Sequence, residues 1–224
     1  AVCRISLGDS FRFDRGIWGE MTRLGAPVAL ERGVISAGQI ALTAMVTALG
    51  TDSLAAHSLA ITAESITYMP AYGFAAAATT LVAQSLGANK PQLAQRFARL
   101  CIVICVLFMS SMAFVLYFGG GMLMSLFTPS AAVVAIGAAA LRVEALAQPL
   151  FAVSQVGTGI LRGARRTKST FVVSLIGMWV VRIPLSFTMS CVAPQYGLAG
   201  LWVGMATDLI VRGLLVLFLL RGGR

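Results

Sequence analysis

Basic residues in this chain occupy every second connection between its hydrophobic segments, and that alternation dictates how it can sit in a membrane. Six apolar stretches are read from the sequence, at 24–50, 54–87, 100–118, 131–160, 169–190 and 196–220. The polar lead, residues 1–23, carries Arg4, Arg12, Arg15 and Arg23. Later connections hold Lys90, Arg96 and Arg99, then Arg162, Arg165, Arg166 and Lys168, and Arg221 and Arg224 close the chain. The connections around Thr51 to Ser53, Gly119 to Ser130 and Cys191 to Gln195 have none, so thirteen of the seventeen Lys and Arg fall on one side. Lys and Arg that flank membrane segments stay in the cytoplasm. The pattern predicts six crossings, both termini cytoplasmic, and an integral protein of the plasma (inner) membrane.

Composition supports a lipid environment. The chain is 58% apolar and 11% charged with a mean hydropathy of +0.87, whereas soluble domains are about a quarter charged. The net charge of +9 is dispersed over short loops and offers no continuous face to nucleic acid; anionic inner-leaflet lipid is its natural partner. Cys101 and Cys105 stand one turn apart in an apolar run and read as small hydrophobes. With Cys3 and Cys191 isolated and a single His, no metal centre is expected. The zinc-protease, phosphate-loop and nucleophile-elbow patterns are all missing, so neither cofactor nor enzyme activity is predicted. The lead segment is too polar to be a cleavable signal.

Stretch 54–87 would be about 50 Å long as one helix, more than a hydrocarbon core of ~30 Å needs. It must tilt, kink or emerge, and Pro70 supplies a kink site, as Pro149 and Pro184 do in the fourth and fifth stretches. Such breaks either pack statically or line a cavity. Small residues recur four apart at Gly73/Ala77, Gly159/Gly163 and Gly200/Gly204, the spacing that lets helices approach closely in lipid. Lys90-Pro91-Gln92 reads as a turn and helix start, and Gly119-Gly120-Gly121 as a flexible break.

Ionisable residues within apolar stretches are costly and face the bundle interior, a partner or a polar path. Here they are Glu31, Glu64, Glu144, Asp208, Arg32, Arg142, Arg182 and Arg212. Asp208 and Arg212, four apart with the acid first, form a structural ion pair in the favourable helical order. Arg142 and Glu144 point to different faces, so Arg142 needs another partner, while Glu144 lies one turn before Gln148 at the Pro149 break. Glu31 follows Pro27 by a turn, with Gln39 two turns further in. Glu64 lies two turns past His57, which reads as a helix-end residue, and one turn before Tyr68. Glu31, Gln39, Glu64, Tyr68, Gln148 and Arg182 are the candidates for coupling or substrate contact, each with a plain packing role as its alternative.

From Leu49-Gly50-Thr51 through Leu54-Ala55-Ala56-His57, Glu64-Ser65-Ile66, Met69-Pro70, Gly73-Phe74, Ala78-Thr79-Thr80-Leu81-Val82 and Gln84-Ser85-Leu86-Gly87-Ala88, the chain resembles the repeat of the multidrug and toxic compound extrusion (MATE) family. Leu161-Arg162-Gly163-Ala164 with Thr167-Lys168, Trp179 to Leu185, Gly197 to Trp202 and Asp208 to Arg212 agree. The resemblance implies an all-α membrane protein whose residues 24–221 form one six-helix half of a twelve-helix transporter. The polar lead then resembles the linker between halves, making this the C-terminal half and the N-terminal half its partner. It also implies export of amphipathic, often cationic small molecules in exchange for protons or sodium. Members with a sodium site in this half carry acids at positions occupied here by Ile35 and Phe151, and Arg165-Arg166 replaces the usual Gly-Asp. Two other readings stand beside it: a lipid-linked-sugar flippase of the same superfamily, for which Arg142 and Arg182 would supply a basic cavity, and a non-transporting scaffold or fragment.

The charge alternation makes a direct prediction. In a cysteine-free background labelled from outside the cell, Pro194→Cys should react with an impermeant maleimide and Arg165→Cys should not; the reverse pattern would overturn the topology.

Overall fold

In a bilayer every backbone N–H and C=O must find its partner within its own segment, and the described part of this chain obeys that demand with helices alone. The computed structural model describes residues 14–222, and among them there is no strand. Arg4, Arg12, Cys3 and Arg224 lie outside the described residues. In chain order the helices are α1 (Arg15–Thr47), α2 (Thr51–Gly87), α3 (Pro91–Ser125), α4 (Ala131–Ala145), α5 (Gln148–Gly163), α6 (Thr167–Leu175), α7 (Ile183–Val192) and α8 (Gly197–Arg221). A π-helical turn, Ile176–Arg182, joins α6 to α7, and a 3₁₀ turn, Pro194–Tyr196, precedes α8.

Helix α1 starts at Arg15, inside the polar lead, because the Asp14 side chain accepts from the amides of Gly16 (2.7 Å) and Ile17 (3.3 Å) and caps it. Pro91 opens α3 at its first turn, where a missing N–H costs nothing. The expected break at Gly119-Gly120-Gly121 does not occur: α3 runs unbroken through all three to Ser125. Each glycine costs about 1 kcal/mol of helix propensity, but Gly120 is buried against Leu141 and Ala138 of α4, and this packing outweighs the local preference. Pro70 sits inside α2 without ending it. At Pro149 the fourth stretch does break, into α4 and α5, with a bend of 59°.

Helix α3, the continuous Thr167–Val192 segment and Pro194–Arg221 are each long and apolar enough to cross a membrane, as is the bent α4–α5 pair taken together. Helices α1 and α2, 33 and 37 residues long, have the length but a lower apolar density, since they carry the polar residues that face inward. Helix α3 turns a broad apolar face outward, including Leu107, Phe114, Phe118 and Met122.

Two hydrophobic clusters hold the bundle. One gathers Leu42, Val46, Ala60, Leu116, Met124, Leu141, Leu201 and Trp202; the other Ala78, Val82, Cys105, Met109, Phe151, Val156, Ile160 and Leu209. Helices α2, α4–α5 and α8 each pass from the first to the second, and each carries buried polar residues at the passage: Glu64 and Thr67, Glu144 and Gln148, and Asp208. A polar belt thus separates two apolar cores.

Small residues set the closest approaches. A Cβ added at Gly163 would lie 2.6 Å from the Thr79 carbonyl oxygen of α2, and Gly159 accepts a hydrogen bond of 2.9 Å from the Thr79 hydroxyl through its own carbonyl. Gly73 and Ala77 are exposed, with no described helix against Gly73. Gly163→Ala should therefore force α5 off α2 and destabilise by about 1–3 kcal/mol, the range for overpacking, whereas Gly33→Ala, in open space, should not destabilise. Thermal unfolding in detergent measures the difference, and equal melting temperatures would sink the packing argument.

Candidate functional site

The inward faces of α1, α2, α5, the α6–α7 segment and α8 enclose a cavity of about 500 Å³. Its wall carries Glu31, Gln39, Glu64, Tyr68 and Arg182, five of the six candidates read from the sequence, together with Arg32, Arg162, Arg212, Tyr72 and Phe151. Gln148, the sixth, is fully buried in the polar belt and does not line the cavity. Helices α3 and α4 contribute nothing to the wall.

Glu31 is buried, and both of its carboxylate oxygens are engaged. Oε2 accepts from Arg162 Nη2 (3.0 Å) and the Thr170 hydroxyl (3.0 Å), and Oε1 from the Ser174 hydroxyl (2.9 Å). One side chain therefore ties α1 to α5 and α6. Sequence reasoning counted Arg162 only as a cytoplasmic charge; its partner is 131 residues away in sequence, a pairing that no local spacing reveals.

The predicted Asp208–Arg212 pair forms within α8: Arg212 Nη2 donates to Asp208 Oδ2 at 2.7 Å and Arg212 Nε donates to Oδ1. A second guanidinium joins it, Arg182 Nε donating to Oδ2 at 2.8 Å while Arg182 Nη1 reaches Gln39 Oε1 at 3.3 Å. Asp208 is fully buried and both arginines nearly so. The π-helical turn ends at Arg182, and Gly177 within it lies so near Asp208 and Arg212 that any side chain there would collide with them. π-Turns of this kind recur at functional sites.

Deeper in, Tyr68 donates its phenol proton to Glu144 Oε1 at 2.6 Å and stacks its ring on Phe151 at 3.9 Å between centroids. Glu64 borders the same group. His57 is a buried packing residue, not a helix-end one: its Nδ1 accepts the Trp202 indole proton at 3.1 Å. That bond places the remaining imidazole proton, in the neutral ring, on Nε2. Arg142 is exposed on α4 and needs no partner inside the bundle. No group of three or more His, Cys, Asp or Glu suited to a metal ion occurs among the described residues.

The MatE family model matches residues 27–188. The chain is 30% identical over 204 residues to "Probable multidrug resistance protein NorM" of Thermotoga maritima, covering 91% of this chain and 44% of that protein. It is 31% identical over 196 residues to "Multidrug resistance protein NorM" of Burkholderia vietnamiensis, covering 85% and 42% respectively. Among solved structures, a MATE protein in its bent conformation superposes with a TM-score of 0.87 at 18% identity, over 97% of this chain and 48% of that one. A MOP superfamily transporter from Pyrococcus furiosus gives 0.87 at 18% identity over 97% and 49%. The chain spans about half the length of the curated relatives it matches.

The Asp208 clamp predicts a large asymmetry in stability. Asp208→Asn leaves two buried guanidiniums without a counter-charge and should cost about 3–5 kcal/mol. Glu20→Gln removes the exposed Glu20–Arg165 pair (2.8 Å) and should cost at most about 1 kcal/mol. Thermal melts of the two variants in detergent check this, and similar shifts would show that the clamp contributes little.

Proposed function

This chain belongs to the MatE family, and from that premise we propose that it is the C-terminal, six-helix half of a secondary active transporter that exports amphipathic, cationic compounds by proton- or sodium-coupled antiport. Its partner is the N-terminal half, and the two face one another across the cavity. Both termini lie in the cytoplasm and the surrounding membrane is the plasma membrane. The observation that carries the reading is the cavity itself. It is bounded by α1 and α2, the two least apolar of the long helices, and it brings carboxylates, an amide and aromatic rings to one wall. Large side chains beside it, among them Ile40, Ile66 and Met69, stay exposed on the same two helices, as a surface awaiting a second lobe would leave them.

The chemistry expected at Glu31 follows from its partners. The carboxylate already holds Arg162 and two hydroxyls, so a cationic substrate must displace Arg162 to reach it. A proton bound there would release Arg162 by cancelling the charge that holds it. Substrate cation and proton therefore compete for one carboxylate, and such competition couples the two fluxes. Gln39, Glu64, Tyr68 and Arg182 line the route beyond it. Tyr68, Tyr72 and Phe151 offer aromatic faces to an amphipathic cation.

One observation favours the flippase reading: four arginines reach the cavity wall. Three of them are already engaged in ion pairs, Arg162 with Glu31 and Arg182 and Arg212 both with Asp208, which leaves Arg32 to meet an anionic headgroup. The antiporter reading is therefore the stronger.

Glu31→Gln in the full transporter should preserve the fold, since the amide has the shape of the acid, and should lower drug efflux. Loss of a charge-assisted hydrogen bond, about 1.5–3 kcal/mol, corresponds to a fall of about tenfold or more. Efflux of a fluorescent cation from cells matched for expression is the assay. A variant that exports at the wild-type rate on both sides of neutral pH would remove Glu31 from the coupling role.

A further inference from the structure

The cations of this chain differ in what answers them. Arg162, Arg165, Arg182 and Arg212 are each paired with a carboxylate of the protein. Lys90, Arg96 and Arg99 are not. Between Glu64 and Glu144 the sequence has no Asp or Glu, and among the described residues none of the three side chains enters an ion pair or a hydrogen bond. All three are exposed, at the turn into α3 and along its first turns.

Lys90 and Arg96 line an open groove of about 480 Å³ together with Asn89, Pro91, Gln92 and Leu93. The turn beneath it is closed by its own backbone. Asn89 adopts a left-handed φ of 56°, which Asn tolerates; its amide donates to the Leu86 carbonyl at 3.0 Å, and the Lys90 amide to that of Ser85 at 2.9 Å. The side chains of Asn89, Gln92, Lys90 and Arg96 are spent on none of this, and within the described residues they have no polar partner. Two ammonium or guanidinium groups and two amides therefore converge on the groove with their hydrogen-bonding capacity unused.

The groove opens onto an apolar stripe. Arg96, Leu100, Val103 and Leu107 stand at helical spacing on one face of α3. The three apolar residues are 54%, 54% and 67% exposed, while Ala94, Cys101, Cys105 and Met109, on the opposite face, are buried. Residues 100–110 cover about 15 Å of helix, the depth of one leaflet of a ~30 Å hydrocarbon core. Helix α3 contributes nothing to the cavity wall, so this face does not belong to the surface that the antiport reading assigns to a second half. An apolar wall one leaflet deep, headed by uncompensated cations, is complementary to an acyl chain under a negatively charged head. A zwitterionic head would carry its own cation toward Lys90 and Arg96, and a head of net negative charge brings none.

We propose that Lys90, Arg96, Asn89 and Gln92 form a headgroup site for one anionic phospholipid, whose acyl chains lie along Leu100, Val103 and Leu107. The inference goes beyond the antiport reading and holds whichever ion or substrate the transporter moves, because it concerns the outer face of the bundle and is read by binding.

The full-length transporter, purified in detergent, is titrated with dioleoylphosphatidylglycerol or with dioleoylphosphatidylcholine, which share acyl chains and differ in head charge. Native mass spectrometry counts the lipid retained. Phosphatidylglycerol should bind at the lower concentration. Lys90→Gln combined with Arg96→Gln should weaken it about thirtyfold, at about 1 kcal/mol for each basic residue near a charged headgroup, and should leave phosphatidylcholine unaffected. Arg166→Gln combined with Lys168→Gln removes the same charge from another exposed basic turn and should leave both lipids unaffected. Inorganic phosphate should fail to displace the bound phosphatidylglycerol; displacement would mean a plain anion site and would overturn the lipid assignment. Equal retention of the two lipids, an unchanged affinity after the Lys90 and Arg96 substitutions, or an equal loss after the Arg166 and Lys168 substitutions would overturn it too. All four substituted side chains are exposed, so the variants should melt as the parent does, and matched melting curves without added lipid verify this before affinities are compared.

Discussion

A carboxylate sealed inside the bundle, Asp208, organises much of what surrounds it. An isolated buried charge would be prohibitively expensive, and Asp208 persists because Arg212 and Arg182 approach it from its own helix and from the π-turn. Arg212 arrives by helical spacing alone. Arg182 sits at the end of the wider π-helical turn, Ile176–Arg182, and Gly177 gives that turn the clearance it needs against α8. Proline at position 184 then falls in the first turn of α7, where it does least harm. The irregularity of the fifth span is thus tied to a charge on the sixth.

The clamp is one part of a wider layering. Two apolar clusters meet at a belt holding Glu64, Glu144, Gln148 and Asp208. In water such a belt would weaken a core. In a bilayer, where helices gain little from exchanging lipid for each other, packing and hydrogen bonding drive association. The Tyr68–Glu144 and Trp202–His57 bonds, together with the Thr79–Gly159 bond, stitch α2 to α4, α8 and α5. Helices α1 and α2 give up apolar density because their inward faces belong to the cavity.

The helical architecture was legible in the sequence because apolar runs and basic turns are local features. So was the Asp208–Arg212 pair, since both residues lie on one helix at a spacing that brings them together. What escaped notice was pairing between helices. Arg182 meets Asp208, Arg162 meets Glu31 and Tyr68 meets Glu144 across sequence separations of 26, 131 and 76, and no periodicity within a helix encodes which faces will meet. The triple glycine of α3 misled for a different reason. Glycine is a poor helix former in isolation, but Gly120 is buried against Leu141 and Ala138 of α4, and tertiary packing overrode propensity. Gln148 was singled out for its place at the Pro149 break, but only the 59° bend and full burial show that it lies behind the cavity wall.

The distribution of contacts also constrains how such a cavity could change shape. Helix α1 packs chiefly on α6 and on the π-helical turn that follows it, where Gly38 admits Met178 and the Trp179 indole donates to the Val34 carbonyl at 3.3 Å, while its packing against α2 is slight. Helix α5 packs on α2, α3 and α8 instead. The cavity lies between these two groups. A displacement of α1 together with α6 away from α5 would preserve the Glu31 bonds to Thr170 and Ser174, which lie within the moving group, and would break the one to Arg162, which does not. The Glu31–Arg162 ion pair is therefore a direct polar tie between α1 and α5 across the cavity. Neutralising Glu31 would weaken its ion pair with Arg162 while leaving the Thr170 and Ser174 hydroxyls within reach of the same carboxyl group.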